Sequence, residues 1–128
     1  MGVPSQKPER RIAPLTFFML LAPYAALAAD PSRGAELYER KCTGCHSLDA
    51  NRVGPAHRGV VGRKAGAAPD FAYSPALKKA GIVWTPGNLD KWLAGPSQFI
   101  KGSRMGFSVP DPQERQDIIA WLATQKSK

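Results

Sequence analysis

Cys42-Thr43-Gly44-Cys45-His46 is the stretch that decides how this chain folds, because it holds the only two cysteines and a histidine follows the second. Two thiols three positions apart can reach the two vinyl groups of one porphyrin and form thioethers. The next side chain, His46, is then directed at the iron, and a neutral imidazole is a common iron ligand. The C-x-x-C-H pattern therefore predicts covalent attachment of a haem.

Three other interpretations of the two cysteines fit less well. A thioredoxin-like redox pair belongs near alternating strands and helices, and no strand-like apolar runs surround this motif. A zinc site needs a second pair of ligands at matched spacing, and His57 is the only other histidine. A structural disulfide between Cys42 and Cys45 would close a very tight loop.

The amino-terminal segment has the layout of a secretory signal peptide. A basic stretch precedes an uncharged apolar run and a small-residue cleavage motif, namely Lys7, Arg10 and Arg11, then Ile12 to Ala29, which contains Ala26-Leu27-Ala28. An uncleaved membrane anchor is the alternative, since the apolar run is nearly long enough to span a bilayer. We expect residues 1–28 to be a cleaved signal peptide, residues 29–128 to be one domain, and the periplasm to be its compartment.

Removal of residues 1–28 takes away three basic residues and one acid, so the formal net charge falls from +8 to +6. The remaining chain of about 100 residues makes one small domain with a thin core. A haem would supply much of the missing apolar interior, so the cofactor is predicted to be structural as well as functional. No nucleic-acid-binding motif accompanies the positive charge, and nucleic acid is not a predicted partner.

Four prolines mark helix starts, because each follows a residue that can cap a helix: Asp30-Pro31, Ser74-Pro75, Thr85-Pro86 and Asp111-Pro112. Proline suits the first helical position, and the residue before it is pushed out of helical dihedrals. Glu114, three residues after Asp111, adds a capping box. Helices are predicted over about 31–41, 75–80, 86–94 and 112–125, with Gly81 and Gly95-Pro96 as stops.

The first and last of these helices are expected to pack together. Leu37 and Tyr38 supply the inward face of the first helix, and Gly34 allows another backbone to cross closely. The last helix carries an i, i+3, i+4 apolar stripe of Ile118, Trp121 and Leu122. The connecting segments contain no clear strand. The fold class is therefore all-α, with about four to five short helices and long loops wrapped around one covalently bound haem.

The second axial ligand of the iron is predicted to be Met105, the only methionine after residue 28. It lies in a loop between two predicted helices, flanked by glycine and charge, where a packing role is disfavoured. A thioether is an established haem ligand. His57 is the rival, but it lies only 11 residues beyond His46, which makes the opposite haem face hard to reach.

These features, in this order, resemble a class I cytochrome c of the mitochondrial and alphaproteobacterial type. The resemblance runs from about residue 32 to residue 125, which is nearly the whole mature chain. Its matching segments are Gly34 and Tyr38, Cys42 to His46, Val53-Gly54-Pro55, Gly62 to Gly66, Phe71-Ala72-Tyr73, Gly81 to Trp84 and Gly102 to Phe107, followed by the last helix.

The resemblance implies a role for each matched residue. One haem c per chain would be attached through Cys42 and Cys45, with His46 and Met105 as its axial ligands. The carbonyl of Pro55 would accept the Nδ1 proton of His46. The propionate-binding groups would be Arg63, Tyr73 and Trp84.

Three positions depart from the common pattern of that family. Trp92 stands where a tyrosine is usual near the methionine sulfur, Leu77 replaces a polar residue near one propionate, and Ser103 replaces a threonine. These differences remove or alter hydrogen-bonding groups, so the reduction potential of the family is not carried over to this chain.

The implied function is one-electron transport, from a quinol–cytochrome c oxidoreductase to a terminal oxidase or a photosynthetic reaction centre. An iron with both axial positions filled has no open site for a substrate, so the chain is predicted not to be an enzyme. Two alternatives stay open: a haem subunit of a larger oxidoreductase, and a ligand-binding or peroxidase-active haem with a labile Met105.

The charge pattern predicts how this monomer would meet its partners. Basic groups around an exposed haem edge steer a protein to the acidic docking surfaces of membrane redox complexes, transiently and with rates that fall as salt rises. Lys41, Arg52 and Arg104 match the basic docking face of the family. Glu36 and Ser97 stand where the mitochondrial form usually has lysine, so this face is less basic here.

Overall fold

The computed structural model describes residues 1–19 and 27–128, and its described helices all lie beyond residue 30. The predicted start of the apolar run falls within the described range, whereas Ala26 of the cleavage motif lies outside it. In residues 1–19 the large apolar side chains of Ile12, Leu15, Phe17 and Phe18 are exposed. This part of the segment therefore contributes nothing to the core.

Five short helices follow: α1 Pro31–Lys41, α2 Pro75–Lys79, α3 Pro86–Ala94, α4 Pro96–Phe99 and α5 Pro112–Thr124. The loops between them contain one isolated antiparallel bridge, between Lys64 and Val83, among the residues that the structure describes. The prediction of an all-α, loop-rich domain is confirmed. No helix in the described part of the chain is long and apolar enough to cross a membrane.

The four predicted helix starts are all confirmed by their capping contacts. The side chains of Asp30, Ser74, Thr85 and Asp111 each accept a hydrogen bond from a backbone N–H in the first turn of their helix. Each cap is followed by proline at the first helical position, as predicted. These bonds satisfy donors that a helix leaves unpaired at its start.

The helix predictions missed one element and overstated one cap. Gly95-Pro96 ends α3 at Ala94 as predicted, but Pro96 also begins the one-turn helix α4, which was not predicted. The capping box of α5 is also incomplete: Asp111 accepts its bonds, but the carboxylate of Glu114 lies 3.2 Å from Lys41 Nζ at the end of α1. The salt bridge draws Glu114 toward α1.

The terminal helices α1 and α5 form the main packing interface of the domain. They meet at Gly34, where an added Cβ would collide with the backbone of Asp117. Leu37 and Ile118, which are 0% and 1% exposed, fill the interface on either side of the crossing. Asp117 is buried there too, and one of its carboxylate oxygens accepts the backbone N–H of Asp30 at 2.8 Å.

A single apolar core continues from this interface to the middle of the domain. Its buried members beyond α1 and α5 include Val60, Ala65, Leu77, Trp84, Leu89, Leu93 and Val109. Side chains that are only half-buried pack against it, among them Cys42, Tyr73, Trp92 and Met105. Several of the residues predicted for the functional site thus form one edge of the core.

Candidate functional site: the surroundings of His46

The Cys42–His46 segment leaves α1 as a tight turn whose backbone directs His46 back toward the domain. The N–H groups of Cys45 and His46 both bond the carbonyl of Cys42, at 3.1 and 2.9 Å. The N–H of Gly54 then bonds the carbonyl of Cys45 at 2.9 Å and closes the loop that follows. The local turn and the returning loop together hold His46.

Both cysteine thiols are free in this structure, so the disulfide considered from the sequence is not formed. Cys42 is half-buried at the edge of the core, and burial raises the pKa of its thiol to about 11. Cys45 lies at the surface. Both thiols would be available for thioether bonds to a single bound group.

The imidazole of His46 is held by a hydrogen bond of 2.9 Å between its Nδ1 and the carbonyl oxygen of Pro55. Because a carbonyl only accepts, Nδ1 must carry the proton, and Nε2 keeps its lone pair for a metal. Burial lowers the pKa of His46, an effect partly opposed by the Pro55 bond. The ring is therefore neutral and oriented, as metal ligation requires.

Gly54 lies directly against that ring. An added Cβ at this position would collide with Cε1, Nδ1 and Nε2 of His46. Only glycine leaves room for the imidazole here. The segment Val53-Gly54-Pro55 thus contributes both the space for the ring and the acceptor that orients it.

His57 lies beside His46. The two imidazole rings are stacked, with centroids 3.9 Å apart and an angle of 19° between their planes. The other side of His57 faces α1, where its Nδ1 and the hydroxyl of Tyr38 are 2.9 Å apart. Burial, together with the nearby His46 and Arg63, lowers the pKa of His57 to about 3, so this ring is neutral as well. Sequence reasoning weighed His57 as a rival iron ligand against an ordinary surface or loop histidine, and it missed this contact.

Arg63 and Tyr73 lie together on another side of the core edge. The guanidinium of Arg63 donates to the carbonyl of Ala56 at 2.9 Å, while its Nε is buried without a partner. Burial lowers the pKa of Arg63, an effect that the nearby Tyr73 opposes. The Tyr73 hydroxyl accepts the N–H of Ala68 at 3.0 Å and retains its own proton for donation. A carboxylate of a bound group would satisfy both donors.

Trp84 is 7% exposed, and its ring packs at a tilt on Trp92, with centroids 5.3 Å apart. Its backbone N–H bonds the carbonyl of Arg63 at 2.8 Å, which ties the two predicted propionate residues together. Trp92 is half-buried against the core and Leu77 is buried within it. The two departures from the family pattern at these positions are therefore accommodated by apolar packing.

Met105 is half-buried against the core in the loop between α4 and α5. The loop is held near its start by the bond from Ser103 N–H to the carbonyl of Ile100, at 3.1 Å. It is held near its end by the bond from Val109 N–H to the carbonyl of Leu93, at 2.7 Å. The thioether thus lies in a loop anchored on both sides, and its assignment as axial ligand stays a prediction.

The three basic residues predicted for a docking face are each engaged locally. Lys41 pairs with Glu114, Arg52 donates to the carbonyls of Thr43 and His46, and Arg104 donates to the carbonyl of Ala72 at 3.3 Å. Arg52 and Arg104 nevertheless remain exposed. Arg52 also braces the Cys42–His46 turn, a role that the sequence did not indicate.

The residues of this site fit a covalently bound haem better than an ion held by side chains alone. In the described part of the chain no three His, Cys, Asp or Glu side chains are arranged to hold a metal ion, so the zinc site considered from the sequence has no ligand set there. Free thiols, an oriented neutral imidazole and an unpaired buried guanidinium nitrogen are groups that a haem would engage.

Comparison with known proteins points to the same family. The family described as "Cytochrome c" matches residues 31–126. The chain is 45% identical to cytochrome c2 of Rhodopila globiformis over 105 residues, covering 80% of this chain and 99% of that protein.

Two solved structures are similar in fold. Cytochrome cH from Methylobacterium extorquens has a TM-score of 0.72 at 41% identity, covering 75% of this chain and 99% of that one. Cytochrome c2 from Rhodospirillum centenum has a TM-score of 0.71 at 36% identity, covering 77% and 100%.

Proposed function

The chain belongs to the cytochrome c family, and we propose that it is a one-electron carrier with a single haem c attached through Cys42 and Cys45. The observation that carries the proposal is the state of His46, which is neutral and oriented by Pro55 with Nε2 left for the iron. When bound, the haem supplies one-electron cycling between the ferrous and ferric states.

The chain's own residues would hold and shield that group. Cys42 and Cys45 would bind it covalently, and His46 would occupy one axial position. Arg63 and Tyr73 would receive a propionate, which gives the buried Nε of Arg63 the partner that it lacks. Trp84 would exclude water beside them, since it is buried against Trp92.

Met105 is proposed as the second axial ligand. Two observations support it over His57: the Met105 loop is anchored at both ends beside the core, whereas the His57 ring stacks on His46 and bonds Tyr38. Because the His57 ring lies beside His46, it is on the same side of the site as the first proposed axial ligand. With both axial positions filled, the iron would have no open site, which favours a carrier over an enzyme.

The experiment is an optical spectrum of the purified holoprotein, oxidised and reduced, for the wild type and for Met105→Ala. We expect a weak near-infrared charge-transfer band in the ferric wild type, sharp ferrous bands, and loss of the near-infrared band in the variant. Carbon monoxide should bind the reduced variant quickly and the reduced wild type slowly.

A wild type that lacks the band, with a spectrum unchanged by Met105→Ala, would remove Met105 from the iron. Rapid carbon monoxide binding by the wild type would favour a ligand-binding or peroxidase-active haem. Purification in a stable complex would favour a subunit of a larger oxidoreductase.

The proposed setting is the periplasm, with residues 1–28 removed on export. The family match begins at residue 31, and the described apolar side chains before residue 20 lie outside the core, which supports a segment separate from the domain. Mass spectrometry of the mature holoprotein tests this, since the mass gives the amino terminus and the single haem together.

The proposed partners are membrane redox complexes with acidic docking surfaces, met by a monomer in short encounters. The exposed Arg52 beside the Cys42–His46 turn supports this, as does the net positive charge. Electron-transfer rates with an acidic partner should fall as ionic strength rises. A rate independent of salt would contradict electrostatic docking.

A further inference from the structure

His57 makes two specific contacts that simple packing would not require. Its ring lies 3.9 Å from the ring of His46 and nearly parallel to it. Its Nδ1 is 2.9 Å from the hydroxyl of Tyr38, a residue that is 3% exposed. The backbone N–H of His57 also bonds the carbonyl of Ser47 at 3.0 Å, which fixes the height of the ring beside His46.

Tyr38 is itself held in place by packing. Its ring packs on Trp121 of α5 with centroids 4.6 Å apart, and Leu37 beside it is fully buried. The rings of Trp121, Tyr38, His57 and His46 therefore form a continuous row from the terminal-helix interface to the site. The hydroxyl of Tyr38 is the only point in this row where a hydrogen bond orients one ring relative to the next.

We infer that His57 is a positioning residue for the proximal ligand, which holds the ring plane of His46 and stabilises the positive charge that this ligand gains on oxidation of the iron. This inference rests on the proposed function. An imidazole bound to a metal carries more positive charge when the metal is oxidised. The face of a neutral aromatic ring attracts positive charge, so a stacked His57 favours the ferric state and lowers the midpoint potential.

The role is distinct from that of Pro55. Pro55 accepts a hydrogen bond at Nδ1 of His46 and thus acts in the plane of the ring. His57 contacts the face of the ring, where it opposes rotation and adds its own π-electrons. Tyr38 supplies the orientation of His57, because a hydroxyl bond to Nδ1 selects one rotation of that ring.

The test uses three variants of the holoprotein: His57→Leu, His57→Phe and Tyr38→Phe. Leucine fills a similar volume without a π-face, phenylalanine keeps the face without the bond to Tyr38, and Tyr38→Phe removes only the hydroxyl. We expect His57→Leu to raise the midpoint potential, His57→Phe to raise it less, and Tyr38→Phe to raise it by a smaller amount as well.

Proton NMR of the ferric protein gives a second readout, because the paramagnetic shifts of the His46 ring protons report its orientation. These shifts should move in His57→Leu and Tyr38→Phe. Denaturant unfolding of each variant measures stability separately. A lower stability with unchanged potential and unchanged ring shifts would show that His57 only fills space and would overturn the inference.

Failure of this inference can be told from failure of the proposed function. If the wild type carries no haem or does not cycle between two redox states, the carrier proposal fails. If the wild type cycles normally and His57→Leu matches its potential, only the positioning role fails. If His57→Leu does not fold, the midpoint potential of His57→Phe is compared with that of the wild type instead.

Discussion

Two regions of the molecule differ in how fully the protein buries their side chains. One is the crossing of α1 and α5, and the other is the surroundings of His46. At the crossing, Gly34 meets the backbone of Asp117, and Leu37 and Ile118 leave almost no surface exposed. At the core edge that carries the residues predicted for the site, apolar side chains such as Met105 and Cys42 remain half-buried. Protein side chains fill the first region, where the one carboxylate oxygen of Asp117 that lacks a hydrogen bond lies 3.6 Å from the guanidinium of Arg33.

The second region contains polar and reactive side chains that a bound group would engage. The buried Nε of Arg63 has no partner, and both cysteine thiols are free. Buried polar groups are normally hydrogen-bonded, because an unmade bond costs free energy. The comparison leads us to expect that this domain depends on its proposed cofactor on one side and on its own helices on the other.

The largest expected effect tests that dependence directly. Replacing both attachment residues, Cys42→Ser with Cys45→Ser, should prevent covalent attachment and abolish cooperative unfolding, because a domain of this size has a thin core of its own. Circular dichroism during denaturant titration measures the loss. The single variant Cys45→Ser is the control, since one thioether remains. A cooperative transition in the double variant would show that the core is complete without haem.

The next prediction concerns the crossing alone. Gly34→Ala should destabilise the protein by about 1–3 kcal/mol, because the new Cβ forces α1 away from the backbone of Asp117. Gly87→Ala in α3 is a matched control: its Cβ meets nothing closer than 4.0 Å, so helix propensity should make it neutral or stabilising by up to about 1 kcal/mol.

Both glycine variants are to be measured by denaturant unfolding and by redox titration. The potential should stay at the wild-type value in Gly87→Ala and change less in Gly34→Ala than in His57→Leu, because the crossing reaches His46 only through Trp121, Tyr38 and His57. A potential shift in Gly34→Ala comparable to that of His57→Leu would mean that the two regions are not separable.

Gly54→Ala should change the midpoint potential as well as the stability. The added Cβ collides with the imidazole of His46, so the ring must turn or its bond to Pro55 must lengthen. We expect an altered ferric spectrum and a shifted midpoint potential, with a stability loss of about 1–3 kcal/mol. Unchanged optical and NMR signatures of the ligand would contradict the contact.

The smallest expected effect is at the start of α5. Asp111→Ala removes a side chain that accepts the N–H groups of Gln113 and Glu114, and loss of such a cap costs about 1 kcal/mol. Thermal unfolding should show a modest decrease in Tm with no change in potential. Asp111→Asn is the control, because asparagine caps helices about as well. Equal losses in both variants would argue against capping.

Local features of the fold were predictable because their causes are local. A capping residue followed by proline located four helix starts, and Gly34 with Leu37 indicated which face of α1 would be crossed. The short helix α4 was missed because Gly95-Pro96 serves equally well as a stop or as a new start. In the structure Gly95 does both, since its N–H bonds the carbonyls of Lys91 and Trp92 at the end of α3 and its carbonyl accepts the N–H of Phe99 in α4.

The residues of the site likewise divide into those that a local pattern predicted and those that depend on contacts between distant segments. The Cys42–His46 pattern predicted the group to be bound, and the expected contact between the Pro55 carbonyl and Nδ1 of His46 is present at 2.9 Å. The burial of Asp117 was missed, since a carboxylate on an apolar helix face looks solvent-exposed until its contact with Asp30, 87 positions away, is known. The engagement of Arg52 with the turn was missed for a similar reason.

The sequence by itself determined the helix starts and the all-α class, and it predicted the cofactor chemistry, because each depends on residues within a few positions of one another. Only the tertiary structure decided the stacking of His57 on His46, its bond to Tyr38 and the unpaired Nε of Arg63. These depend on how the loops return to the core. Loop paths are set by packing between distant segments. No pattern of neighbouring residues specifies how side chains from distant segments are oriented relative to one another.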